Sequence, residues 1–293
     1  MSKEDLKNIM KKKQNKNDHH FVPQVYIKQF YDSNIQEVWR ASVKHKKIKH
    51  YSSAQIFYAH KLYDLKLFKQ RFTDIEDYYS ELEDQIGKIY QILNGVTTLK
   101  PFEEVKTNQY LFFFIKTVII TQYFRTKDIS PNMLKEYCTN LVTAYESKEK
   151  YLKKEFSFIK IEELRELEKL IKRGVRKDKK YVNELIKGLQ YSVLPILLSD
   201  YSKPGIKLIR HSKEKYISSD KPVVCKNTHD ILNFRNFLYA LTPNILIYSL
   251  GEDVTEELIN DESKINKFIF DNAVEFIISH DKSLIENIIS LES

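Results

Sequence analysis

Apolar residues recur every three or four positions through the middle of this chain and every second position towards both ends, so strand patterning flanks a helical block. The block opens at Thr73-Asp74-Ile75-Glu76, a capping box in which the threonine hydroxyl and glutamate carboxylate each satisfy an unpaired backbone N–H. Ile75, Tyr79, Leu82, Ile86, Ile89 and Leu93 then share one face until Asn94-Gly95 supplies a stop. Pro101 suits the first turn of a second helix reaching Phe124 or Arg125. Because Leu111 to Ile115 is apolar on nearly every side, that helix belongs at the centre of the domain. Ser130-Pro131 starts a third helix running to about Lys150. Ile161, Leu164, Leu167 and Ile171 stripe a fourth, closed by Gly174, and Tyr181, Leu185, Leu189 and Ile196 stripe a fifth, bent by Pro195 in its last turn.

On the N-terminal side, Phe21 to Phe30 reads as a strand-like run or a short helix. Glu37–Val43 and Lys47–Tyr51 read as a hairpin turning near Lys44-His45-Lys46. Ser52-Ser53 caps a short helix through His60, followed by a strand at Lys61–Leu65. On the C-terminal side, Ile206–Ile209, Tyr216-Ile217, Pro222–Cys225, Phe237–Leu241 and Ile245–Tyr248 read as strands. Thr255 opens a last helical region in which Ile265, Phe268, Ile269, Asn272 and Phe276 share a face. Residues 1–17, with Lys11-Lys12-Lys13 and no periodicity after Met10, read as a flexible basic arm. No repeat or linker divides residues 18–293. The expectation is therefore a single α+β domain, predominantly helical: a central helical bundle with a small mixed or antiparallel sheet built from N-terminal and C-terminal strands.

Composition narrows this picture. Only 6 glycines and 7 prolines in 293 residues favour long helices over a turn-rich sandwich. Cys138 and Cys225 are far apart and lack Cys-x-x-Cys spacing, which argues against a disulfide framework or a cysteine zinc site and fits a reducing cytoplasm. The N-terminus lacks the apolar stretch of a secretory signal, and Leu111–Phe124, which contains Lys116, is too short to span a bilayer. A cytoplasmic protein without a membrane partner is expected. Residues 1–60 carry 12 Lys+Arg against 5 Asp+Glu, whereas residues 251–293 carry 3 against 11. A basic body attracts polyanions such as nucleic acid, although Lys/Glu-rich surfaces are usually just solvated faces.

Candidate chemistry starts at Asp18-His19-His20-Phe21-Val22-Pro23-Gln24, where two imidazoles sit beside a carboxylate. Histidine changes charge near neutral pH, so proton transfer or metal binding is looked for here first. In an extended segment adjacent side chains point to opposite faces, so one imidazole faces any given cleft and the other packs inward. Gln122 and Arg125, three apart, share a helix face, and the arginine fork suits a phosphate or carboxylate; the alternative is a buried acid partner or a helix cap. Ser219-Asp220 precedes Pro222 in a turn, where Asp220 either serves a site or organises the turn by bonding backbone N–H groups. A serine-nucleophile elbow, a P-loop and a dinucleotide glycine fingerprint are absent.

These segments also carry a resemblance. His19-His20-Phe21-Val22-Pro23-Gln24 with Tyr26 and Phe30, Ser53-Ala54-Gln55-Ile56 through Leu62-Tyr63-Asp64, Gln122-Tyr123-Phe124-Arg125-Thr126, and Tyr216-Ile217-Ser218-Ser219-Asp220-Lys221-Pro222-Val223 occur in the order of a bacterial family, domain-of-unknown-function family 4238. Phe21 stands for the family's usual tyrosine and Lys221 for its usual asparagine. The resemblance implies a link, in some members, to defence against phage. His20-Phe21-Val22-Pro23 also resembles the first strand of the His-Asn-His nucleases, with His60 in the place of a later histidine and no well-placed asparagine between them. The first expectation is thus a defence enzyme cleaving nucleic-acid or nucleotide phosphodiesters. His19, His20 and Asp220 would move the proton or hold a divalent metal, and Gln122, Arg125 and Ser219 would bind substrate. The alternative is a non-catalytic sensor that recognises a phage component or a small anion. The oligomeric state stays open.

Overall fold

The structure is a computed structural model that describes residues 18–67, 70–72, 74–95, 109–126, 129–157, 159–202 and 206–291. The fold is α+β, and among the described residues every strand pairing is antiparallel. Strand β1 (Asp18–His20) leads through Pro23 into a one-turn helix α1 (Gln24–Ile27) and a 3-10 turn (Lys28–Phe30). The expected hairpin is present as β2 (Val38–Ser42) and β3 (Ile48–Tyr51), its turn containing Lys46 at a left-handed φ of 53°.

Ser52 caps a single 3-10 turn, Ser53–Gln55, and the helix expected through His60 is instead strand β4 (Tyr58–His60), paired with β1. Phe57 explains the change. At φ 58° it occupies a left-handed conformation that no helix continues through, and its carbonyl accepts the N–H of Phe21 at 2.9 Å. The strand expected at Lys61–Leu65 lies further on, as β5 (Leu65–Leu67) paired with β6 (Gln70–Phe72).

Helices α2 (Asp74–Gly95) and α3 (Gln109–Arg125) match the apolar periodicity, while Thr73 and Pro101, their expected first-turn residues, lie outside the described residues. Helix α3 is buried from Ile115 to its end, and inside it the Lys116 ammonium donates to the Tyr201 carbonyl at 2.6 Å. The third helix is broken into α4 (Pro131–Cys138), α5 (Leu141–Glu146) and α6 (Glu149–Glu155). At the breaks Thr139 and Asn140 turn their side chains onto the Glu136 carbonyl and Ser147 onto that of Ala144, which competes with helix continuation. Helix α7 (Ile161–Lys177) runs through Gly174 instead of stopping there. A Cβ at that position would meet Val182 at 2.5 Å, so glycine permits the close approach of α8 (Lys179–Gln190). Pro195 sits in the first turn of a separate helix, α9 (Leu194–Leu198), rather than bending α8.

The C-terminal third alternates β7 (Lys207–Arg210), β8 (Ser218–Ser219), β9 (Val223–Val224), α10 (Thr228–Leu232), β10 (Phe237–Thr242) and β11 (Ile245–Ser249). It ends with α11 (Glu256–Ile259), capped by Thr255 as expected, then α12 (Glu262–Asp271), β12 (Phe276–Ser279) and α13 (Lys282–Ser290). Two four-stranded sheets result. The first has the order β7-β11-β10-β9; the second, β3-β2-β12-β8, joins N-terminal and C-terminal strands. Phe276, expected on a helix face, opens β12, because α12 ends at Asn272, whose side chain bonds back to the Phe268 carbonyl. Helices α12 and α13 cover one face of the second sheet, where Lys282 stands over the Trp39 ring.

Tyr26 of α1 fastens the two sheets together. Its hydroxyl donates to the Ala240 carbonyl of β10 at 2.6 Å and pairs with Ser218 Oγ of β8 at 2.5 Å, while its ring stacks on Tyr239. All of these groups are buried within one contiguous apolar core reaching from Phe21 to Ile288. Removing the hydroxyl strands two buried polar groups, so Tyr26→Phe is expected to lower unfolding free energy by about 1–3 kcal/mol. The urea midpoint with an unchanged m-value is the measurement that checks it.

Candidate anion-binding site

Two of the polar residues expected to form a pocket, Gln122 and Arg125, do converge on the end of β1, but through contacts with the backbone of His20 and Phe21. Gln122 Nε2 donates to the Phe21 carbonyl at 3.1 Å, and Arg125 Nη2 donates to the His20 carbonyl at 2.6 Å. One helical turn of α3 thereby holds two consecutive carbonyls of the first segment. Arg125 Nε also donates to the Tyr63 hydroxyl at 2.9 Å, Nη2 reaches Glu83 Oε1 at 3.1 Å, and the Tyr79 ring lies 3.9 Å from the guanidinium carbon. Burial opposes its charge, yet Tyr63, Glu83 and Tyr79 together raise the guanidinium pKa above its ordinary value. With 2% of its surface exposed, Arg125 fastens α2, α3 and β1 to one another. The sequence places Tyr63 in a family segment and Tyr79 on an apolar stripe without linking either to Arg125, and for Glu83 only the acid-partner alternative for Arg125 points to such a group.

The imidazoles split between faces as an extended segment requires. His19 is buried, stacked on Tyr63, with Nδ1 accepting the Tyr63 N–H at 2.9 Å and Nε2 3.9 Å from Asp64 Oδ1. An Nδ1 that accepts a hydrogen bond carries no proton, so the ring is the neutral tautomer with its hydrogen on Nε2. His20 lies on the opposite face beside Tyr58. There Asp18 stands across from His60, with His60 Nδ1 and Asp18 Oδ1 at 3.2 Å.

Ser219 and Asp220 belong to a different neighbourhood. Asp220 Oδ1 accepts the N–H of Val274, and Oδ2 accepts those of Glu275 and Phe276. None of its contacts is with His19 or His20; it organises the turn into β12, and Ser219 Oγ accepts the Lys221 N–H. Burial lifts the Asp220 carboxyl to about 6, against the pull of the three backbone donors. Among the described residues, no three His, Cys, Asp or Glu side chains are grouped to hold a metal ion.

Gln122 and Arg125 also line a small cavity of about 10 Å³ with Tyr26 and Tyr239, whereas a roomier polar cleft lies on the second sheet. A cleft of about 260 Å³ is lined by Arg40, Ser42, His45, Lys47, Lys49, Tyr51 and Phe276. Alternation builds it. Arg40 and Ser42 on β2, Lys49 and Tyr51 on β3, and Phe276 on β12 share a face whose inner part, Val38 and Ile278, is buried. Arg40 is directly opposite Lys49, a like-charge cross-strand pair of the kind that costs stability. Its guanidinium carbon stands over two rings, 3.9 Å from the Tyr51 centroid and 4.2 Å from that of Phe276. Among the described residues, no carboxylate lines the cleft. The alternation of Arg40, Ser42, Lys47, Lys49 and Tyr51 across the predicted turn was a usable sequence signal; the contribution of Phe276, more than two hundred positions away, was not.

Two outcomes follow from the buried groups. Arg125→Lys replaces a fork touching three elements by one ammonium and is expected to cost about 3 kcal/mol or more. Urea unfolding checks the loss. For Asp220 the folded pKa lies above the ordinary carboxylate value, so the folded chain keeps a proton that the unfolded chain has lost between about pH 4 and 6. Stability therefore falls as pH rises through that window and stays lower above it. Asp220→Asn has no such titration, so the variant gains on wild type by roughly 2–3 kcal/mol between pH 4 and 7 in paired melts.

A family model described as "Protein of unknown function (DUF4238)" matches residues 18–283. No curated protein and no solved structure matches the chain. Among the described residues, no helix is long and apolar enough to cross a membrane.

Proposed function

The chain belongs to the DUF4238 family of proteins of unknown function, and we propose that it is a binding protein that recognises an anionic ligand in the Arg40 cleft, serving as a sensor in defence against phage. The observation that carries this reading is the Arg40–Lys49 pair: two cations opposite one another, with Lys47 beside them and no carboxylate among the described residues of the lining. Among the described residues neither Arg40, Lys47 nor Lys49 has an acidic side-chain partner, although surface lysines elsewhere in the chain form ion pairs, as Lys169 does with Glu166 and Lys207 with Glu256. Lysines on an edge strand such as β3 also discourage sheet-to-sheet association, which accounts for Lys47 and Lys49 alone. Arg40 is on β2, inside the sheet, where that purpose does not apply.

A second reading, hydrolysis of phosphodiesters, is supported by one arrangement: His20, Tyr58, His60 and Asp18 on one face of the β1–β4 pair, with His60 bonded to Asp18. It requires turnover of a nucleic-acid substrate that His20→Ala and His60→Ala each abolish.

The binding reading is tested with a fluorescent single-stranded oligonucleotide carrying a 5′-phosphate, titrated with the full chain at low salt. Binding is expected to weaken at least tenfold in Arg40→Ala and in Lys49→Glu, and to weaken further as salt rises, as counterion release requires. An oligonucleotide bound no better than by a charge-reversed Lys47→Glu/Lys49→Glu chain would remove the basis for the reading.

A further inference from the structure

Resting on the binding reading of the same cleft, we infer that its ligand is a compact, multiply charged phosphate group, a phosphate monoester or a pyrophosphate as carried by a nucleotide or a nucleic-acid end. An extended phosphodiester backbone is the alternative that the geometry disfavours. Four observations carry this.

The cations converge instead of forming a track. Arg40 and Lys49 are cross-strand neighbours, and Ser42, bonded through its N–H to the Lys47 carbonyl, is two positions further along. Two positions along a strand are about 7 Å and adjacent strands about 5 Å apart, so the donors ring an area the size of one or two phosphoryl groups. A backbone-tracking surface needs its cations strung along a groove. Charge points the same way. Arg40, Lys47 and Lys49 bring three positive charges to one spot. A diester offers one negative charge there; a monoester offers about −1.5 to −2, and a pyrophosphate more.

The third observation is the placing of Arg40. Its guanidinium carbon stands 3.9 Å from the Tyr51 ring centroid and 4.2 Å from that of Phe276. Two cation–π contacts restrict the guanidinium, whose N–H fork suits the bidentate geometry that phosphate oxygens accept. Rings engaged by Arg40 are poor platforms for bases, so the cleft suits phosphate recognition more than sequence readout. The fourth is the serine. Ser42 Oγ accepts the His45 N–H at 3.2 Å, which leaves its own hydrogen to donate into the cleft. The volume, about 260 Å³, is just below the usual range of drug-sized ligand sites and suits a small group.

The experiment is isothermal titration of the full chain with inorganic pyrophosphate and with a nucleoside triphosphate, alongside displacement of a 3′-labelled single-stranded oligonucleotide bearing either a 5′-phosphate or a 5′-hydroxyl. Pyrophosphate is expected to displace the 5′-phosphorylated strand, and the 5′-hydroxyl strand to bind at least tenfold more weakly. Arg40→Lys, which keeps the charge and loses the fork, is expected to weaken pyrophosphate at least tenfold, as is Lys49→Ala, both with unchanged circular dichroism. Tighter binding of the triphosphate than of the phosphorylated strand assigns the group to a free nucleotide; the reverse order assigns it to a chain end. Equal binding of both strands with no displacement by millimolar pyrophosphate overturns the inference and leaves the anion-binding reading standing. Pyrophosphate binding that neither substitution weakens also overturns it, since the site is then elsewhere. No binding of any probe overturns both.

Discussion

The Arg125 guanidinium is a full charge almost out of reach of water, and the first segment of the fold is arranged around it. Removing such a group from water costs several kcal/mol unless its donors meet acceptors in good geometry. Here the acceptors are a backbone carbonyl from β1, a phenol from the segment after β4 and a carboxylate from α2, with a second aromatic ring beneath. No one of these elements supplies the shell alone. The charge is tolerable only when all of them are in place, which makes it a check on assembly more than a source of net stability. Gln122, one turn earlier, extends the same grip to the next carbonyl.

This changes what the polar motifs mean. His-His at the start, Gln-x-x-Arg in the central helix and Ser-Asp in a late turn have the residue types of a reaction centre, yet the first two meet as a structural joint and the third organises a turn in another sheet. The cleft proposed to bind an anion is lined by residues of ordinary appearance, in a hairpin whose alternation could be read but whose charge looked like a solvated surface. Its distinguishing mark is a cost. Arg40 and Lys49 repel one another across neighbouring strands, against which Arg40 gains the contacts with Tyr51 and Phe276.

Much of the architecture was legible because it is periodic over several turns or alternations. The Val38–Tyr51 hairpin, helices α2 and α3, and the joining of N-terminal with C-terminal strands in one sheet all follow from such runs. What escaped was decided by single residues or distant partners. A left-handed Phe57 converts an expected helix into β4; Thr139, Asn140 and Ser147 divide one expected helix into three; Gly174 and Pro195, which look like terminators, serve close packing and helix initiation. At Gln122 and Arg125 the shared face followed from their spacing, but nothing local told that face to meet carbonyls a hundred positions upstream.

The span of the Tyr26 joint has a consequence for how the chain is made. Its two hydroxyl partners lie 192 and 214 positions downstream. At translation speeds of about 5–20 residues per second, the segment around Phe21, Val22 and Tyr26 waits roughly 10–40 seconds after synthesis before Ala240 exists. During that interval an apolar stretch is exposed that cannot complete its contacts, so the ribosome-bound nascent chain is the species most in need of a chaperone, and slow decoding late in the message would prolong its exposure.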